Sequence, residues 1–192
     1  MKDTAARPVL VLASASPRRC ELLAQIGVRF EQRVADVDET RGYNEPVADY
    51  VRRVALDKAR AVRRTGATLP VLGADTAVAI DDRVFGKPVD RADALTMLRA
   101  LSGRCHRVLS AVALVGEREA ALVSETRVWF RPLEHTELDA YWATGEPRDK
   151  AGAYAIQGRG AVFVERIDGS YSGVMGLPLF ETAQLLKAFD IG

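Results

Sequence analysis

For roughly its first hundred residues the chain alternates short apolar runs with segments of helical period; the period then changes to two. The apolar run at residues 8–13 predicts a strand buried on both faces. Ser16 and Pro17 form an N-cap with proline at the first helical position, so a helix is expected to about Ile26, ended by Gly27. Residues 28–34 predict a second strand, followed by the acidic segment 36–39. Residues 44–65 carry the longest helical pattern, with Val47, Tyr50, Val51, Val54 and Val62 on one face and Gly66 as terminator. Residues 69–74 repeat the buried-strand pattern and deliver Asp75 and Thr76 at its end. Asp81-Asp82-Arg83 marks a turn, Gly86-Lys87-Pro88 follows, and Asp90 caps a helix over 91–101 closed by Gly103.

Residues 108–115 and 121–130 then read as paired strands around a charged turn. A helix is expected near 134–143, a hairpin of 161–167 with 172–175 about Asp168-Gly169, and a terminal helix from Pro178 through Leu186. Strands and helices alternate early and strands cluster late, which is a mixed α/β fold. One domain over residues 1–192 is expected, with two lobes rather than two independent domains.

Composition narrows the function classes. The 192 residues are 48% hydrophobic and 28% charged, ordinary for a folded soluble protein. Lys and Arg number 27 against 26 Asp and Glu, so the net charge of +1 argues against stable nucleic-acid binding but leaves room for a small anionic ligand. The two cysteines, Cys20 and Cys105, are far apart, which excludes a disulfide framework or a cysteine-rich zinc site. No apolar stretch approaches the roughly 20 residues of a membrane span, and the N-terminus lacks the apolar core of a secretory signal. A cytoplasmic protein with no membrane partner is expected.

Several residues then offer chemistry. The segment 12–19, LASASPRR, ends a strand and opens a helix, where unsatisfied amides attract anions. Arg18 and Arg19 in that first turn oppose the helix dipole, a cost a bound anion offsets; a solvated surface pair is the alternative. Lys58 shares the apolar stripe of Val51, Val54 and Val62, so it must snorkel to the rim or pair with an anion. Asp75 at the end of a buried strand points to a ligand crevice, or else to a turn or cap. Glu39 offers a second carboxylate and Lys87 another cation. Carboxylates for a divalent cation together with cations for phosphates are the equipment of phosphoryl or nucleotidyl hydrolysis. A P-loop, an HExxH helix and a nucleophile elbow are all absent, and only His106 and His135 are available for histidine chemistry.

LASASPRR (12–19), VDET (37–40), LDKA (56–59), LGADT (72–76), GKP (86–88), LSG (101–103), DKAGAYAIQG (149–158) and DGSYSGVMGLPL (168–179) occur in one order that closely resembles the Maf family. The resemblance covers the chain from about residue 9 onward. It implies an elongated mixed sheet with flanking helices, two lobes around a central cleft, akin to the inosine-triphosphate pyrophosphatase group. It also implies hydrolysis of a nucleoside triphosphate to a monophosphate and pyrophosphate, assisted by Mg²⁺ or Mn²⁺. Asp75 matches the family's proton-accepting aspartate, and Arg18, Arg19, Glu39, Lys58, Lys87 and Gln157 match its other active-site positions. Asp75 and Glu39 are the expected metal-holding carboxylates. Arg18, Thr76 and Gln157 resemble the branch cleaving dTTP and UTP; the sister branch for 7-methyl-GTP carries tryptophan, glutamine and glutamate there. A glutamine amide donates and accepts, which suits the carbonyl and ring N–H of a pyrimidine. A homodimer is compatible with the resemblance. The competing readings are a nucleotide-binding regulator of cell division without turnover and a protein-interaction factor.

Overall fold

Where an apolar run must be buried on both faces, it needs neighbours on either side, and the first such run finds them. In the computed structural model, which describes residues 7–34, 36–81 and 83–191, β1 (Leu10–Ala13) pairs in parallel with β2 (Phe30–Arg33) and with β3 (Val71–Ile80). All four residues of β1 are buried. Helix α1 (Pro17–Gln25) connects β1 to β2, with Ser16 as N-cap and Gly27 in the left-handed region at φ +75°. Helix α2 (Val47–Arg64) precedes β3. The chain continues through β4 (Arg83–Phe85), α3 (Arg91–Leu101), β5 (Cys105–Val115), β6 (Glu119–Phe130) and α4 (His135–Ala143). Three short 3-10 turns follow, then β7 (Val164–Asp168), α5 (Tyr171–Met175) and α6 (Leu179–Ala188). The seven strands form one mixed sheet in the order β2-β1-β3-β5-β6-β7, with β4 antiparallel to β3 and β7 antiparallel to β6.

The chain divides into two compact units. The first takes in the described residues of Met1–Asp75, Ala111–Val123 and Gly176–Gly192; the second takes in those of Thr76–Ser110 and Ser124–Met175. The first has a core of Val11, Ala13, Ala59, Val62, Val71 and Val115, where α2 lies on the buried strands. The second has a core built on α3, around Leu98, Leu101, Val128, Phe130 and Phe163. Among the described residues no helix is long and apolar enough to cross a membrane.

Four expectations need correction. The helix expected from Asn44 starts at Val47, because Asn44 takes φ +54° and Pro46 is the N-cap. The third strand does not stop before Asp75: it runs to Ile80, so Asp75 and Thr76 lie inside it rather than at its end. Antiparallel pairing of Val78–Ile80 with Arg83–Phe85 holds that extension in place. Of the expected turn, Asp81 takes φ +50°, while Asp82 lies outside the described residues. No hairpin forms about Asp168-Gly169, since residues 172–175 are helical and β7 pairs with β6 instead. Ser170 explains this, for its Oγ accepts from the Gly173 amide at 2.9 Å in the manner of a helix cap. Finally, residues 161–163 belong to a 3-10 turn (Arg159–Phe163) rather than to the start of the strand expected over 161–167.

Candidate active site

Close approach of α2 to β3 begins with a missing side chain. A Cβ at Gly73 would collide with the Ala55 carbonyl oxygen and come within 3.1 Å of Ala59 Cβ. The helix therefore rests on the strand, and Lys58, one turn along the stripe from Val54, reaches the position two residues past that glycine. Its Nζ donates to Asp75 Oδ1 at 2.8 Å and lies 2.9 Å from Glu39 Oε1. The Lys58 and Asp75 side chains are 10% and 7% exposed, whereas Glu39 is 53% exposed, so the bridge runs from the interior to the surface. A buried lysine without a partner would be costly; two carboxylates supply the partners. Burial pushes the Asp75 carboxyl above its ordinary value; the Lys58 and Arg19 charges oppose that rise and Glu39 adds to it.

Arg19 joins the same cluster. Its Nε donates to the Gly176 carbonyl at 2.8 Å and its Nη1 to Ser14 Oγ at 3.3 Å. Burial draws the Arg19 guanidinium down from its ordinary value, with Asp75 and Glu39 acting against that and Arg18 with it. Ser14 Oγ also accepts from the Ser16 amide at 3.1 Å, which folds the end of β1 into the start of α1. The two first-turn arginines thus stand at a helix N-terminus with no acidic residue in its first turn.

Glu39 is held by its backbone. The Tyr50 hydroxyl donates to the Glu39 carbonyl at 2.9 Å, and Arg53 Nη2 donates to the Thr40 carbonyl at 3.0 Å. Arg53 also grips Glu45 through Nε at 2.7 Å and Nη2 at 2.9 Å. That pairing, with the Gly42 amide, lowers the Glu45 carboxyl to about 2.

These residues all belong to the first unit; Thr76, Lys87 and Gln157 belong to the second. Thr76 Oγ1 is 2.9 Å from Ser110 Oγ, which donates to the Gly173 carbonyl at 2.6 Å. Lys87 is exposed beside Gly86, whose carbonyl accepts from the Gly152 amide at 3.1 Å. Gln157 is exposed next to Gly158. The structure therefore brings Arg19, Lys58, Asp75 and Glu39 together, with Arg18 beside Arg19. Residues not anticipated from the sequence are Ser14, Tyr50, Arg53 and Ser110. Signals existed for three: Ser14 lies in the 12–19 segment read as an anion seat, Tyr50 on the apolar face of α2, and Ser110 as a hydroxyl inside the apolar run 108–115.

Among the described residues no three His, Cys, Asp or Glu side chains converge on a metal position. The donor set of Asp75 and Glu39 nevertheless fits a hard divalent cation that keeps waters and takes its remaining ligands from substrate phosphates, as Mg²⁺ does. It does not fit a closed structural site, which would need more protein ligands.

The family model described as Maf-like protein matches residues 9–189. A dTTP/UTP pyrophosphatase from Alkalilimnicola ehrlichii is 56% identical over 191 residues, covering 96% of this chain and 95% of that protein. A dTTP/UTP pyrophosphatase from Aromatoleum aromaticum is 55% identical over 204 residues, covering 98% of each. A nucleoside-triphosphatase / dITP/XTP pyrophosphatase structure from Mycobacterium abscessus aligns at 20% identity with a TM-score of 0.39, over 63% of this chain and 72% of that one, a likeness too weak to bear on function. With a family model spanning nearly the whole chain and full-length relatives above half identity, the chain belongs to the Maf family.

Proposed function

We propose that the chain is a nucleoside triphosphate pyrophosphatase that hydrolyses dTTP and UTP, and related modified pyrimidine nucleotides, to the monophosphate and pyrophosphate. The observation that carries this reading is the Lys58 ammonium joining buried Asp75 to Glu39, at 2.8 and 2.9 Å. The names of the relatives supply the substrate class.

In this mechanism Asp75 orients the attacking water and accepts its proton. Burial raises the Asp75 carboxyl, which makes its ionised form a stronger base. The water oxygen bonds to the α-phosphorus as the bond from that phosphorus to the α,β-bridging oxygen breaks. The bonding pair leaves with pyrophosphate, and the proton stays on Asp75 until it exchanges with solvent. Lys58 and Arg19 neutralise charge on the phosphate oxygens, and Lys87 does the same for the leaving group. Asp75 and Glu39 would hold Mg²⁺ or Mn²⁺, which supplies Lewis-acid stabilisation of the phosphates. Arg18, Thr76 and Gln157 select the base; these three roles and that of Lys87 rest on the sequence motifs. Residues 1–192 act as one functional domain in the cytoplasm, and a homodimer is compatible with this role.

Purified protein is offered canonical triphosphates, modified pyrimidine triphosphates and 7-methyl-GTP with Mg²⁺ or Mn²⁺, scoring monophosphate and pyrophosphate separately. dTTP and UTP are expected to give both products. Asp75→Asn is expected to lower kcat by at least about a hundredfold, the usual worth of a general base, with an unchanged circular dichroism spectrum. Near-normal turnover by this variant removes Asp75 from the chemistry. Nucleotide binding without pyrophosphate release by the native chain identifies a regulator instead.

A further inference from the structure

A second polar cluster in the molecule does nothing for the Asp75 site, yet organises the segment that carries Gln157. Glu146 opens a 3-10 turn after α4. Its Oε2 accepts from the Arg159 amide at 2.9 Å, and its Oε1 accepts from the Gly160 amide at 3.0 Å and from the Tyr141 hydroxyl at 2.6 Å. The Tyr141 oxygen in turn accepts from the Ala155 amide at 3.0 Å. Amides on both sides of Gln157 are therefore fastened to one carboxylate–phenol pair. Glycines make room for it: a Cβ at Gly158 would collide with the Glu146 carboxylate, and one at Gly160 would stand 2.7 Å from the Tyr141 hydroxyl. The Tyr141 ring is itself fixed edge-on against Phe163, with centroids 4.9 Å apart.

The charge state suits the task. Burial raises the Glu146 carboxyl, but the bonds from Tyr141, Arg159 and Gly160 outweigh it and hold the group below its ordinary value. Burial and the bond to Glu146 push the Tyr141 phenol up, so it remains a donor at neutral pH. An ionised carboxylate accepting three donors fixes a short loop far better than solvent contacts do. Ala155 and Ile156 anchor the start of this segment by burial, and the clasp fixes the part beyond Gln157, where two glycines leave the backbone free.

We propose that Glu146 and Tyr141 are positioning residues for base selection, clasping residues 155–160 so that the Gln157 amide is presented in one orientation. The inference rests on the proposed pyrimidine nucleotide activity and deepens it. It follows that Glu146 controls how tightly and how selectively the base is read, without touching the substrate. A glutamine at position 146 keeps the size of the side chain but loses the charge and one acceptor oxygen, so the clasp loosens while the fold remains.

The test compares the native chain, Glu146→Gln, Tyr141→Phe and Gln157→Ala, all full length. Steady-state kcat and KM are measured for dTTP, UTP and GTP, and amide hydrogen exchange is followed over residues 155–160. Glu146→Gln is expected to raise KM for dTTP and UTP about tenfold, with kcat within threefold, and to narrow discrimination against GTP. Gln157→Ala should give the same pattern, and the double variant should add little to either. Exchange at Arg159 and Gly160 should quicken in Glu146→Gln, and at Ala155 in Tyr141→Phe. Unchanged KM and discrimination in Glu146→Gln overturn the proposal, as does a fall in kcat alone, which marks a smaller folded fraction. A native chain that releases no pyrophosphate from dTTP or UTP sinks the underlying activity and the selectivity role with it, while exchange still reports whether the clasp exists.

Discussion

A lysine, two carboxylates and an arginine account for most of the electrostatics of the candidate site, and their burial decides how they behave. Asp75 is more acidic in water than inside β3, because the interior disfavours its charge more than Lys58 and Arg19 together restore it. His106 shows the opposite sign of the same effect. It is 1% exposed, its Nε2 lies 2.9 Å from the Tyr154 hydroxyl, and its ring meets Phe130 edge-on at 4.9 Å. Burial pushes the imidazole down to about 4. Unfolded, the same group titrates near 6.5, so the unfolded chain takes up a proton that the folded chain refuses. The stability this provides is complete above about pH 6.5 and is lost progressively as pH falls toward 4, by about 3 kcal/mol. Urea denaturation of the native chain and of His106→Gln at pH 7 and pH 4.5 should show the native chain losing more. Equal losses in the two would remove His106 as the source. From the sequence His106 had no nameable partner, because Tyr154 is 48 positions away and only the fold joins them.

At the scale of elements, the contact of α2 with β3 sets the position of Lys58, and Gly73 permits that contact. Gly73→Ala places a methyl group against the Ala55 carbonyl and the Ala59 side chain. Neither is the flexible end of a side chain, so the helix must move. A loss of about 3 kcal/mol is expected, at the upper end of overpacking costs, together with reduced turnover as Lys58 is displaced from Asp75. Thermal melting and kcat measured on the same preparation check both; a native melting temperature with native kcat refutes the close-packing account. The helical stripe at Val51, Val54, Lys58 and Val62 was legible in the sequence, and so was the obligation of Lys58 to find an anion. The length of β3 was not. Its last three residues pair with β4, and a reading that stopped at Ala74 carries no record of that partner. The helical turn at α5 was missed for a related reason. Residues 172–175 read as the second arm of a hairpin about Asp168-Gly169, but the Ser170 hydroxyl, accepting from the Gly173 amide, caps a helical turn there instead.

On the scale of the molecule, each unit has its own core, and neither core includes the acidic residues proposed to hold a metal. Buried Asp75 already has a counter-charge in Lys58, which solvent-exposed Glu39 shares, so folding places no demand on a divalent ion. Chelation by EDTA is therefore expected to abolish pyrophosphate release while shifting the melting temperature by less than about 3 °C, a change worth under about 1 kcal/mol for a chain of this length. Added Mg²⁺ or Mn²⁺ should restore turnover. A large drop in melting temperature on chelation would reveal a structural ion that the two-carboxylate donor set does not support.

What the sequence determined by itself was local: the buried runs of β1 and of the first half of β3, the stripe of α2, the capped start of α3 at Asp90, and the set of residue types suited to phosphate chemistry. Each follows from periodicity or from a side chain acting within a few residues of itself. Tertiary structure alone decided that Lys58 bridges carboxylates 17 and 19 positions away, that Arg19 reaches the carbonyl of Gly176, and that Glu146 fastens the loop around Gln157. Such partners are chosen by which surfaces bury together, and burial against distant segments leaves no periodic trace in a single chain of letters.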